Sequence, residues 1–372
     1  MTTENTIISS VKTHHELKEF VRFNYELYKD NPYAVPDFLE DTLDTFNKKK
    51  NPAFRFCEAE WFLARRGGKI VGRVCAIINR KANEQWGQKT VRFGWIDFID
   101  DPEVSGLLLR TVEEWGRERG MEKIVGPMGF TDMDLEGMLT EGYDQLSTMN
   151  SIYNYPYYPQ HMVQHGYAKE VGWVERKVFV PQPGHEAHKD KYFRIAEMVK
   201  KRYGFRIHKF KNKREIREGG YIPKVLGVVN RSYANLYGYS QMDEEQMNVY
   251  ADQYLQYLDK RYLSVVETAE GEVIGMGICI TSLSRAIQKA KAKLWPFGWY
   301  YRPRHCGLTS IPRYWTCCLW ACCPSIRRRV PTHSSLPTSF PKARRMGTNG
   351  QRPITSWRTT SPARRSGRTS TA

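Results

Sequence analysis

Residues 62–78 read F-L-A-R-R-G-G-K-I-V-G-R-V-C-A-I-I, and residues 265–281 read V-V-E-T-A-E-G-E-V-I-G-M-G-I-C-I-T. Each is an apolar run, a turn built on glycine, and a second β-branched run with an internal glycine. Glycine reaches the positive φ that a tight hairpin needs, so Gly67-Gly68 and Glu270-Gly271 mark two hairpins. Phe62/Val265, Leu63/Val266, Gly68/Gly271, Ile70/Val273, Val71/Ile274 and Gly72/Gly275 all fall at one offset. A shared offset is the mark of an internal repeat, and it predicts two lobes built alike.

Outward from the first hairpin, Ile7, Ile8 and Val11 form a short strand. His14 to Lys29 is next, a helix with Leu17, Phe20, Val21, Leu27 and Tyr28 on one face. Pro32 and Pro36 end it, and Asp37 to Lys48 reads as a second helix. The hairpin strands are Glu60–Arg66 and Lys69–Asn79, with Val91–Ile99 as a third long strand. Asp101-Pro102-Glu103 has an N-cap acid, proline at the first helical position and an acid in the first turn, so a helix starts there. Gly120 closes it, and Lys123–Val125 is a short strand. Around the second hairpin, helices are expected at 192–203, 222–237 and 243–258, the last capped by Asp243 with Gln246, and a strand at 205–210. A basic helix, 284–293, comes after it.

At 372 residues the chain has room for two or three domains. It has no apolar run of spanning length and its first ten residues lack a signal-peptide pattern, so a cytoplasmic protein without membrane contact is expected. The net charge of +17 suggests nucleic acid until its distribution is considered. Residues 301–372 hold 14 of the 57 Lys and Arg and none of the 40 acids, so the body is nearly neutral. A nucleic-acid role would rest on the tail alone. Cys57, Cys75 and Cys279 are scattered through the body, which suits a reducing compartment, and five further cysteines fall in the tail without metal-ligand spacing.

The tail is better explained by the genetic code. Joining the last base of each codon to the first two of the next forces glycine at Trp320-Ala321 and at Met346-Gly347. With permitted third bases, Leu319 to Pro341 can encode V-G-V-L-P-E-Y-Q-x-K-G-A-N-A-L-I-F-T-D-L-I-P: a strand, a Q-x-x-G loop and an amphipathic helix. The tail is therefore expected to be an out-of-frame, disordered segment standing in place of the fourth strand, its loop and the third helix.

The order strand, two helices, three antiparallel strands, helix, strand resembles the GNAT acyltransferases. The resemblance extends to Tyr157–Tyr167, which looks like that family's late helix ending in Gly-Phe, with Trp173–Val180 as the last strand. It implies an α/β (α+β) protein of two tandem GNAT-like lobes, with mixed, mostly antiparallel sheets flanked by helices. The expected domains are 1–180, a linker at 181–191, an incomplete second lobe at 192–300, and the tail at 301–372. It further implies transfer of an acyl group from acyl-CoA, such as acetyl-CoA, to a small-molecule or protein amine, with no tightly bound cofactor and no metal. In that family a Gly-rich loop between the fourth strand and third helix holds the CoA pyrophosphate. Here Asp97, Asp100, Asp101 and Glu103 stand there, and Met162 replaces a usual tyrosine. Carboxylates repel phosphate and already satisfy a helix N-terminus. The first lobe thus has the fold without the cofactor site, and the second lobe stops before its own loop. A chain defective in acyl transfer is expected, and a non-catalytic scaffold binding a metabolite or protein is the alternative.

Three constellations are candidate sites. Asp132, Asp134, Glu136, Glu141 and Asp144 come after a Gly-Pro strand end and could hold an amine or a metal, or be solvated surface. Tyr153, Tyr155, Tyr157 and Tyr158 with Asn154 could line a pocket or pack a loop. In the second lobe, Tyr233, Tyr237 and Glu245 could face a substrate cleft, or be helix core and surface.

Overall fold

The computed structural model describes residues 5–148, 151–175, 178–179, 187–255, 258–290, 315–322, 353–355, 359–360 and 363–365. Two units divide the chain: 1–175 with 283–306 and 358–372, and 176–282 with 307–357.

The first unit opens with β1 (Ile7–Ser10) and α1 (His14–Leu27). Thr13 caps α1 reciprocally: its hydroxyl accepts from Glu16 N at 3.1 Å, and the Glu16 carboxylate accepts from Thr13 N at 2.8 Å. Next come α2 (Leu39–Thr45), β2 (Cys57–Arg66) and β3 (Lys69–Asn79). The β2–β3 turn is Gly67-Gly68, with φ of 56° and 74°. A short helix, α3 (Arg80–Gln85), precedes β4 (Thr90–Phe98). Then come α4 (Pro102–Glu118), β5 (Lys123–Gly126), α5 (Tyr157–Gln164), β6 (Tyr167–Lys169) and β7 (Trp173–Val174). The expected last strand at 173–180 is thus β7 and, in the second unit, β8 (Val178–Phe179).

The second unit continues with α6 (Ala187–Tyr203), so the end of the expected linker is helical; residues 181–186 lie outside the described residues. After it come β9 (Arg206–His208), α7 (Lys213–Glu218), α8 (Tyr221–Tyr233), α9 (Glu244–Leu255), β10 (Leu263–Glu267) and β11 (Val273–Thr281). Asp243 and Gln246 form the expected reciprocal cap at α9: Gln246 N donates to Asp243 at 2.9 Å and Asp243 N to Gln246 at 3.1 Å. The basic helix is α10 (Ser284–Ala290), and it belongs to the first unit. Gln288 donates to the carbonyls of Pro32 at 3.1 Å and Ala34 at 2.7 Å.

The tail departs from expectation. Described segments form β12 (Trp315–Cys322), β13 (Pro353–Thr355), β14 (Thr359–Thr360) and β15 (Ala363–Arg365). The fourth strand of the second unit, expected to be missing, is supplied by β12, which pairs antiparallel with β11. Its sequence W-T-C-C-L-W-A-C is an apolar stretch of the tail, and an open sheet edge is a template for such a segment. The rest of 301–372 lies outside the described residues.

The first sheet has the order β1-β2-β3-β4-β5-β15-β6. Strands β1 to β4 pair antiparallel and β4 pairs parallel with β5. Strand β3 reads V-C-A-I-I because both of its faces are buried. Val74, Ala76 and Ile78 join the core of Val104, Leu108 and Val112 from α4, and Cys75 and Ile77 that of Phe20, Val21 and Phe46. Gly72 lets α4 lie on bare backbone: a Cβ there would stand 2.8 Å from Leu108 Cδ1 and 3.2 Å from the Asp97 carbonyl oxygen.

The second sheet, β12-β11-β10-β9, is antiparallel throughout. Its hairpin closes through three residues: Thr268 N donates to Glu272 O at 2.9 Å, and Gly271 has φ of 86°. Both hairpins slip register just before the turn, between Ala64 and Arg65 and between Val266 and Glu267. At the offset of the repeat those slips are one position apart. The repeat holds in three dimensions.

Candidate functional site

Strand β4 breaks regular pairing at its centre. Arg73 faces Asp97 while Cys75 faces Gly94, so β4 carries one more residue than β3 across that step. Trp95 absorbs the extra residue with φ of 44°, a conformation that costs a bulky side chain ~1–2 kcal/mol. Its ring packs against Phe46 and Phe130, with centroids at 4.8 and 5.6 Å.

The bulge delivers Asp97, within the strand expected over 91–99, into the interior, 5% exposed, so it does not stand with the carboxylates at the loop before α4. Its Oδ2 accepts from Arg73 Nη2 at 2.6 Å, Arg73 Nε at 2.8 Å and Asn24 Nδ2 at 3.0 Å. Its Oδ1 lies 3.2 Å from the Tyr28 hydroxyl and 3.0 Å from that of Tyr158. The remaining Arg73 nitrogen, Nη1, donates to the carbonyls of Phe20 and Val21 at 2.8 and 3.3 Å. This pair is buried and saturated, so it holds α1, β3, β4 and α5 together.

Beside it is a cavity of about 70 Å³, lined among others by Asn24, Tyr28, Asp37, Trp95, Asp97 and Tyr153. Tyr153, Asn154 and Tyr158 line it, whereas Tyr155 and Tyr157 stack on each other with centroids 5.6 Å apart and are not among its lining residues. Asp37 had no role in the sequence beyond opening a helix, yet it is among the residues that line the cavity. Burial pushes that carboxyl up to about 6 against the pull of Arg73, with Asp97 and Asp41 adding to the rise.

The N-terminus of α4 is occupied. Asp101 accepts from Glu103 N at 2.9 Å, and Arg66 pairs with Asp101 at 2.8 Å and Glu103 at 3.0 Å. Asp100 lies 3.0 Å from His161 Nε2, His161 Nδ1 lies 3.0 Å from Ser105 Oγ, and that oxygen lies 2.8 Å from His165 Nε2. The array has the residues of an acyl-transfer triad, but Ser105 is 0% exposed and no substrate reaches its oxygen. Its role is to tie α5 to α4.

The acidic stretch divides. Glu141 and Asp144 are exposed, as a surface reading requires, whereas Asp132, Asp134 and Glu136 are half-buried. Asp134 accepts from Thr131 N at 3.0 Å, and burial pushes its carboxyl up to about 6. Asp132 Oδ1 and Glu136 Oε2 are buried without a hydrogen-bond partner among the described residues. Burial raises both carboxyls, neighbouring carboxylates add to the rise, and Arg92 opposes it. Among the described residues, no three His, Cys, Asp or Glu stand close enough to hold a metal ion.

Among solved structures, a GCN5-related glucosamine N-acetyltransferase region of a fungal multi-domain GH3 β-N-acetylglucosaminidase superposes with a TM-score of 0.51 at 12% identity. The match takes in 98% of this chain and 38% of that one. The chain has the GNAT fold. No family model matches the sequence. A protein of Caulobacter vibrioides named bacterial ceramide synthase is 29% identical over 294 residues, 78% of this chain and 73% of that protein. Protein YghO of Escherichia coli is 27% identical over 292 residues, 77% and 70% of the two chains.

In the second GNAT-like lobe, Tyr233 ends α8 half-buried, edge-on to Tyr239 with centroids 5.9 Å apart. Tyr237 is half-buried in the turn after it, and Glu245 is exposed in the first turn of α9. The structure leaves these three on two helices and their connection, in a different unit from Asp132 and Asp134. Among the described residues no helix is long and apolar enough to cross a membrane.

Proposed function

We propose that this chain descends from an acyl-CoA-dependent N-acyltransferase of the GNAT fold and that, with its present tail, it is defective in acyl transfer. The observation that carries the reading is the filled N-terminus of α4. A helix end whose N–H groups and dipole are satisfied by Asp101, with Arg66 paired to its acids, has nothing left to offer a pyrophosphate. The co-substrate site then falls to the second lobe, whose Gly-rich loop and third helix belong to the reading frame that the tail has left. In an intact chain a base would take a proton from the amine, the amine would attack the thioester carbonyl, the thiolate of CoA would leave, and backbone N–H groups would hold the oxyanion. The likeness to a ceramide synthase supports a long-chain amine as acceptor and a fatty acyl group as donor. A cytoplasmic setting fits such a reaction, and acyl-CoA is co-substrate rather than bound cofactor.

The test compares this chain with a version whose frame is restored near codon 300, each titrated calorimetrically with acetyl-CoA and with palmitoyl-CoA. Binding by the restored version alone is the expected result. Equal binding by both places the pyrophosphate loop elsewhere and overturns the reading. The second reading, a scaffold without catalysis, is favoured by the saturated Arg73–Asp97 pair and the capped α4, and it predicts that neither version binds.

A further inference from the structure

We infer that the outer face of α6 is a docking surface for an anionic phospholipid bilayer. This is independent of the acyl-transfer reading, since it needs neither the reading frame that the tail has left nor a site for CoA.

Helix α6 has two unlike sides. Ala196 is 4% exposed, and Phe193, Val199 and Tyr203, at helical spacing around it, are half-buried. That side is turned to the protein. The turn of the helix places Lys191, Arg194, Ile195, Met198, Lys201 and Arg202 together on the opposite side, within about a third of the circumference. All but half-buried Ile195 are exposed, and Met198 reaches 59%. No acid of α6 falls in that arc.

The cations of the next helix are spent on the protein itself. Arg214 of α7 pairs with Glu218 at 2.5 Å, and Arg217 pairs with Asp252 of α9 at 2.6 Å. On α6 the same holds for Lys200, which lies off the outer arc and pairs with Glu197 at 2.8 Å. Among the described residues Lys191, Lys201 and Arg202 meet no carboxylate. The Arg202 guanidinium lies over the Tyr203 ring, 5.6 Å from its centroid, which leaves its charge in place. The arc is thus a row of positive charge with an exposed methionine at its centre.

That mixture selects the occupant. Anionic headgroups attract each Lys or Arg held near a bilayer, and the long stems let the charges reach phosphates while Met198 and Ile195 enter the headgroup boundary. RNA would use the cations alone, because an apolar centre offers a phosphate chain nothing and the arc has no aromatic on which bases could stack. The sequence expectation of no membrane contact came from the absence of a spanning segment, and a helix that lies on a bilayer needs none.

The test floats the full chain with phosphatidylcholine vesicles containing about one-third phosphatidylglycerol, in about 0.1 M sodium chloride. The chain should float with these vesicles, stay behind with pure phosphatidylcholine, and be released as salt rises to about 0.5 M. Reversing two charges of the arc, Lys201→Glu with Arg202→Glu, should weaken binding about tenfold or more. The same change of net charge at exposed Lys48 and Lys49 of the first unit, both to Glu, should cost less than about threefold. That comparison separates the arc from the basic tail and from net charge. Met198→Asp should weaken binding about threefold or more while leaving every cation in place. Circular dichroism checks the folding of the α6 double variant; if it is not folded, Met198→Asp decides. Equal losses in the two charge-reversal variants, undiminished binding by Met198→Asp, equal flotation with both kinds of vesicle, no flotation at all, or displacement by oligouridylate at matched phosphate overturns the inference.

Discussion

Glu136 has a buried carboxyl oxygen that no donor among the described residues reaches, and Asp132 is in the same condition. In the unfolded chain this glutamate ionises in its ordinary range. In the folded chain, burial and the Asp132 charge hold its proton to higher pH. The folded state therefore binds more protons than the unfolded one across that window, and stability is lost as pH rises through it. Below the ordinary carboxylate range both states are neutral and the penalty vanishes. Glu136→Gln should accordingly match the parent at about pH 4 and exceed it by about 1–3 kcal/mol at about pH 8, measured as urea unfolding free energies. A gain of equal size at both pH values would mean that ionisation is not its cause. The acids themselves were plain in the sequence; their burial was not. Phe130, Met138 and Leu139, all nearly inaccessible, enclose this loop without helical or strand period. Apolar residues in a loop announce nothing until the chain folds over them.

At the scale of elements, legibility followed burial pattern. Strand β3 and the start of α4 were readable because one is apolar on both faces and the other begins with its own cap. Helix α3 was missed because six residues are too few to show a period, and its cap, Asn79, closes a strand. The bulge at Trp95 was invisible for a deeper reason: a bulge is a mismatch between two strands, and neither strand contains it alone. With it went the burial of Asp97, which the expected strand 91–99 contains. Two substitutions test how these elements are held. Asp97→Ala leaves Arg73 charged, buried and unpaired, and should cost about 3–5 kcal/mol in chemical denaturation. Gly72→Ala puts a methyl group against Leu108 and the Asp97 backbone and should cost about 1–3 kcal/mol, and that cost should shrink when it is measured on a Leu108→Ala background. If Gly72→Ala proves neutral, α4 is not seated on β3 as closely as those contacts require.

For the whole molecule, the repeated hairpin is enough to show two lobes, since an offset common to both needs no knowledge of packing. The end of the chain could not be read the same way. Composition argued for disorder from Tyr301 onward, yet Trp315–Cys322 pairs with β11, because an unpaired edge recruits an apolar segment whatever its origin. Substituting two prolines at Cys318 and Trp320 should remove that pairing and make β11 exchange its amide hydrogens faster, while β3 is unchanged. The hold of Gln288 on the first lobe also bears on when the protein becomes complete. The loop of Pro32 and Ala34 carries Asp37 past the cavity, and Gln288 secures it from 254 residues further along the chain than Ala34. During synthesis, strands β1 to β5 can pair as soon as they emerge, since their partners are near neighbours. The loop beside Asp37 must wait until almost four-fifths of the message has been translated. Until then one wall of the first lobe is held only from one side, so a messenger or ribosome stopped short of codon 288 yields a lobe with strands β1 to β5 paired, without β15, and with its cavity unfinished.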